Sequence, residues 1–100
     1  MTEPYSIEIY RENGDPFRSV RLIVNADGSV RVDTQDMGKR VEEIWGDSDY
    51  EFWVDVPAGA LPKLVFALLR EKYAGRARAV DEFTAFCKQE NIEHEWDSWV

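Results

Sequence analysis

The sequence predicts an α+β fold: an antiparallel sheet of four to five strands with two helices packed on one face, in the order βββ(α)βααβ. Three observations carry that reading. Stretches near residues 5–11, 18–33 and 49–56 alternate apolar and polar side chains with the period of half-buried strands. Between Leu61 and Glu90 the period lengthens to that of a helix, and in Ile92 to Val100 the alternation returns.

Taken in order, Tyr5 to Arg11 sets Tyr5, Ile7 and Ile9 on one face and Ser6, Glu8 and Tyr10 on the other, and Glu12-Asn13-Gly14-Asp15-Pro16 supplies the turn formers that end it. Arg18 to Asn25 places Val20, Leu22 and Val24 inward, Ala26-Asp27-Gly28 turns the chain, and Ser29 to Asp33 completes a three-stranded meander whose β-branched content disfavours a helix. Asp36 is placed to cap a short helix through Glu43 and Trp45, with Gly46 ending it. Asp49 to Val56 is a fourth strand stopped by Pro57, with Tyr50, Phe52 and Val54 toward the core and Glu51, Trp53 and Asp55 opposite.

From Leu61 a helix carries Leu64, Val65, Leu68 and Leu69 in succession, with Pro62 in its first turn and Gly75 just past its end. A second, from Ala79 to Glu90, puts Val80, Phe83, Phe86 and Cys87 on one stripe, holds Asp81 and Glu82 near its positive end, and gives way at Asn91. Ile92, His94 and Trp96 then oppose Glu93, Glu95 and Asp97 in a closing strand. The chain has room for one domain, residues 1–100, since 44% hydrophobic and 13% aromatic residues suffice for one core at this length.

Twenty acids against twelve bases leave a net charge of −8, which repels DNA, RNA and anionic membranes and attracts basic proteins. Cys87 is alone, so no intrachain disulfide forms, and with His94 as the one histidine a four-ligand zinc site of the finger type is excluded. Neither a leader pattern nor an apolar run of membrane length is present, and with the lone thiol this points to a reducing cytoplasm. No cofactor is expected: the glycines occur singly, so no phosphate-cradling loop or dinucleotide fingerprint exists.

Catalytic chemistry finds little support. His94 has no orienting partner or nucleophile that spacing places beside it, and it reads as a hydrogen-bonded, partly buried side chain. Cys87, on the apolar stripe of its helix, reads as core. Asp47-Ser48-Asp49-Tyr50-Glu51 opens like a calcium loop, but Phe52 stands where that loop needs glycine, and no metal site is expected. The chain is therefore read as not an enzyme.

The charge is clustered. Residues 41–60 hold six acids and no base, residues 61–80 one acid and five bases, and residues 81–100 six acids and one base. In the first acidic segment Glu42, Glu43, Asp47, Asp49, Glu51 and Asp55 interleave with Trp45, Tyr50 and Trp53, and in the second Glu90, Glu93, Glu95 and Asp97 interleave with Trp96 and Trp99. One reading makes these acids the solvated face of the sheet, paired across strands with Arg18, Arg21 and Arg31. The other makes them a protein-recognition surface, because Trp53 shares its face with Glu51 and Asp55, and Trp99 stands in the same relation to Glu93, Glu95 and Asp97.

The string Asp27-Gly28-Ser29-Val30, Gln35-Asp36-Met37-Gly38, Val41-Glu42-Glu43 and Trp45-Gly46-Asp47-Ser48-Asp49-Tyr50-Glu51 resembles a group of small bacterial proteins of no assigned function, and the likeness runs on through Asn91-Ile92-Glu93-His94-Glu95-Trp96. It implies a bacterial or phage setting and brings no catalytic residues. By size and acidity alone the chain is also similar to immunity proteins that neutralise nucleases and to phage anti-CRISPR inhibitors that mimic DNA.

The sequence thus points to a non-enzymatic acidic inhibitor of a basic nuclease or nucleic-acid-binding complex. Its binding residues are Glu42, Glu43, Trp45, Asp47, Asp49, Glu51, Trp53, Asp55 and Trp99, with Asp47, Asp49 and Glu51 standing in for phosphates. Two alternatives are a homo-oligomeric module, such as a homodimer, joined through the last strand and its tryptophans, and a ligand-binding protein or weak enzyme using Tyr10, His94 and an acid in a cleft.

Overall fold

A computed structural model describes residues 5–38 and 49–99. The architecture is α+β, with a four-stranded antiparallel sheet in the order β1-β2-β3-β4 followed by two helices. Strand β1 spans Tyr5–Glu12, β2 Phe17–Val24, β3 Val30–Met37 and β4 Asp49–Val56; a 3-10 turn at Ala58–Ala60 leads into α1, Leu61–Tyr73, and α2 is Ala79–Gln89. The chain divides into two compact units, Met1–Leu64 and Val65–Val100.

Local chemistry explains the β2–β3 turn. Gly28 adopts a φ of +87°, which costs an L side chain and not glycine. Its N–H donates to the Asn25 carbonyl at 2.9 Å, while the Asp27 carboxylate accepts from the Ser29 N–H at 2.9 Å and from the Ser29 hydroxyl at 2.6 Å. These bonds hold the Asp27 carboxyl below its usual pKa, the Ser29 hydroxyl contributing most.

Pairing changes the first strand. The β1–β2 register shifts between Glu8 and Tyr10, a bulge at Ile9 that sets Tyr10 opposite Val20 and Arg11 opposite Ser19. Tyr10 therefore joins Tyr5 and Ile7 on the apolar face, although simple alternation assigns it to the other. Its hydroxyl donates to Glu12 at 2.9 Å, and the carboxylate there raises its pKa.

Strand β3 also differs from expectation, running to Met37, so Asp36 caps no helix. It lies opposite Arg18 of β2 and Tyr50 of β4, and its carboxylate accepts two bonds from the Arg18 guanidinium at 2.6 and 2.7 Å. A charged partner fixed by register outcompetes a cap that depends only on local sequence. The rest of the expected helix, with Glu43, Trp45 and Gly46, lies outside the described residues.

Cross-strand neighbours share a face in an antiparallel sheet. One face carries the rows Tyr5–Val24–Val30–Val56, Ile7–Leu22–Val32–Val54 and Tyr10–Val20–Thr34–Phe52, closed at one end by Glu12–Arg18–Asp36–Tyr50. Phe52 and Val54, expected in the core, are 42% and 67% exposed, and Ile7 is 61% exposed. Ser19 and Thr34 are the buried residues of the sheet among those described.

In the helical unit α2 ends as its sequence requires. Asn91 takes a φ of +56°, the Ile92 N–H donates back to the Cys87 carbonyl at 2.8 Å and the Asn91 N–H to Lys88 at 3.3 Å, a Schellman closure with asparagine in the left-handed position. Tyr73 and Phe83 rings meet at 5.7 Å, Lys72 lies 4.7 Å over the Phe86 ring, and Cys87 is buried, as its stripe predicts. No helix among the described residues is long and apolar enough to cross a membrane.

The closing strand does not form over the described residues: Ile92 to Trp99 carry no regular structure, and all are exposed. Alternation states which side chains would share a face but supplies no partner for the backbone, and a strand exists only with one.

Candidate protein-binding face

The other face of the sheet holds the charges. Its rows are Arg11–Ser19–Gln35–Glu51, then Glu8–Arg21–Asp33–Trp53, then Ser6–Ile23–Arg31–Asp55. Glu8 accepts two bonds from Arg11, at 2.8 and 3.0 Å, and one from the Ser19 hydroxyl at 2.5 Å. Arg21 holds Asp33 at 3.2 and 2.8 Å, and Arg31 holds Asp55 at 2.6 and 3.0 Å. The Arg11 bond, then the Ser19 bond, keep Glu8 below its usual pKa, and the Arg31 bond does the same for Asp55.

Trp53 stands among these pairs, 51% exposed, with the Arg31 guanidinium 4.9 Å over its ring. Around it lies a depression of about 190 Å³ lined by Arg21, Arg31, Asp33, Gln35, Glu51 and Trp53. That volume is below the range of metabolite pockets, about 300 to 1,000 Å³, and suits one side chain of a partner. Glu51 contributes an exposed carboxylate on one side of the aromatic wall.

Strand β4 therefore brings Asp49, Glu51, Trp53 and Asp55 onto one face, as their alternate spacing requires. Glu42, Glu43, Trp45 and Asp47 lie outside the described residues. Trp99 is 99% exposed, in a segment where Glu93, Glu95 and Asp97 are exposed as well. The cross-strand arginines are paired: Arg31 neutralises Asp55 of the acidic segment, while Arg21 and Arg18 take Asp33 and Asp36 instead. Asp33 and Gln35 were not singled out from sequence, since only the register places them beside Trp53.

His94 is exposed rather than partly buried, and its Nδ1 lies 2.7 Å from the Ile92 carbonyl. Among the described residues no group of three His, Cys, Asp or Glu side chains is placed to hold a metal ion. In the helical unit, Phe66, Leu69, Tyr73, Val80 and Phe83 line an open apolar groove of about 400 Å³. Compared with known proteins, the chain matches no family model, no curated protein and no solved structure.

Proposed function

We propose that this chain is a non-enzymatic protein-binding module whose Trp53 face occupies a basic site on a nucleic-acid-handling protein, in the manner of an inhibitor or immunity factor. The observation that carries the reading is the depression between β3 and β4, where Asp33 and Glu51 flank a half-exposed tryptophan. A partner's lysine or arginine gains there both a carboxylate and an aromatic ring. Arg31, stacked on the indole and bonded to Asp55, restrains the ring before binding, which lowers the entropy lost on docking.

Asp47 and Asp49 extend the same acidic segment toward the role of phosphate surrogates, with Trp45 and Trp99 as further anchors. The net charge of −8 speeds encounter with a basic partner and opposes encounter with nucleic acid itself. The test is capture from bacterial lysate on the tagged protein at low salt and at about 0.5 M salt. A basic nuclease or nucleic-acid-binding complex should be retained at low salt, released at high salt, and lost with Glu51→Lys or Trp53→Ala. Capture indifferent to both substitutions, or an empty column, overturns the reading.

A further inference from the structure

Three acids of the sheet have an arginine directly opposite on the next strand, and each is held by it: Asp33 by Arg21, Asp36 by Arg18 and Asp55 by Arg31. Glu51 has no such partner. Its opposite residue on β3 is Gln35, which carries no charge, and β4 is an edge strand of the described sheet, so no further strand offers it a cation. Among the described residues its carboxylate takes no hydrogen bond and no ion pair; Arg21 acts on it at a distance while bonded to Asp33. Within the depression the Arg21–Asp33 and Arg31–Asp55 pairs cancel, which leaves Glu51 as one uncompensated negative charge beside Trp53.

Every arginine of the described residues is engaged inside its own unit. Beyond the three already named, Arg11 holds Glu8, Arg76 holds Glu82, Arg78 lies 3.5 Å from Asp81, and Arg70 lies 5.6 Å over the Phe66 ring. The helical unit therefore has no idle guanidinium to give to Glu51.

We propose that the depression selects an arginine of the partner in preference to a lysine, its guanidinium forking onto Glu51 and lying against the Trp53 ring. This rests on the protein-binding reading of the Trp53 face and narrows it to one side chain. Arg31 shows what the surroundings reward: it makes two bonds to Asp55, at 2.6 and 3.0 Å, while its guanidinium lies 4.9 Å over the same indole. A planar fork can bond a carboxylate through its edge and cover a ring with its face at once. An ammonium is a compact, strongly hydrated point charge and makes neither the paired bonds nor the stack.

NMR of the full chain, titrated with blocked Gly-Arg-Gly, Gly-Lys-Gly and Gly-citrulline-Gly peptides up to about 10 mM, tests this. The arginine peptide should shift the Trp53 indole N–H and the Gln35 and Glu51 amides, with an affinity at least about 5-fold above that of the lysine peptide. The citrulline peptide, similar in shape but uncharged, should shift none of them. Gln35→Arg sets an arginine opposite Glu51 within the chain, as Arg31 stands opposite Asp55, and should weaken the response about 10-fold or more. Gln35→Ala should keep the response, and Glu51→Gln, a change at an exposed position, should lose it. Equal affinity for the lysine and arginine peptides overturns the arginine assignment and leaves the protein-binding reading in place; no response to either overturns both. A response unchanged by Gln35→Arg also overturns the assignment. So does a response that appears only with Arg40→Gln, a substitution outside the described residues, because the chain then fills the site itself.

Discussion

On one side of the sheet two cross-strand rows are apolar from edge to edge and a third breaks that pattern only at Thr34; on the other, arginines and carboxylates neutralise one another in pairs around Trp53. The same four strands make both sides. The polar side is satisfied by pairing, because Arg21 and Arg31 find Asp33 and Asp55 by register, Arg11 finds Glu8 along its own strand, and the rest of their hydration comes from water. The apolar side carries only Glu12, Arg18 and Asp36 as charges among its paired positions, and a single-layer sheet buries such a face only against a second layer. The polar face is thus free to change partners at small cost, whereas the apolar face gains stability only from burial.

The strongest way to break this contrast is a charge at the centre of the apolar face. Thr34 is 8% exposed between Val20 and Phe52, and Thr34→Asp should destabilise the chain by about 3 kcal/mol, read as a lowered urea midpoint. The same substitution at Gln35, one residue along on the polar face, should barely move the midpoint; equal effects would remove the distinction between the faces.

Acid should act on the polar face next. Glu8 and Asp55 ionise below their usual range when folded, so their contribution is fully present above the unfolded carboxylate pKa and fades as pH falls through the folded values. Urea midpoints measured from pH 7 to pH 3 should fall at the acid end, and Glu8→Gln should flatten part of that fall. An acid limb unchanged by Glu8→Gln would mean that its bonds to Arg11 and Ser19 contribute no net linkage.

The smallest effect is expected for Arg21→Ala. Its guanidinium is 53% exposed and the ion pair with Asp33 is screened by water, so stability should change little and 0.5 M salt should erase what change there is. A large loss at Arg21 would show that the polar face is held together by its ladder rather than merely decorated by it.

The local features of this fold were legible in the chain. Asp27-Gly28 marked a turn, Gly75 and Asn91 marked helix ends, and all three adopt positive φ. Strand β4 has the expected bounds, Asp49–Val56, and places Trp53 with Glu51 and Asp55. The expected placement of Tyr10 failed because one unpaired residue in an edge strand reverses every side chain after it. Asp36 was misread because its partner Arg18 lies on another strand, and the closing strand was misread because its alternation has no paired backbone in the described residues.

By itself the sequence determined the segments, their turns and caps, the lone buried thiol and the uneven distribution of charge, all of which depend on neighbours a few residues apart or on composition alone. Only tertiary structure decided the register, the bulge at Ile9 and which arginine holds which acid. These are choices among distant residues, separated by 12 to 24 positions in the Arg21–Asp33 and Arg31–Asp55 pairs. Strand pairing selects among such residues because each alternative register changes every cross-strand contact at once.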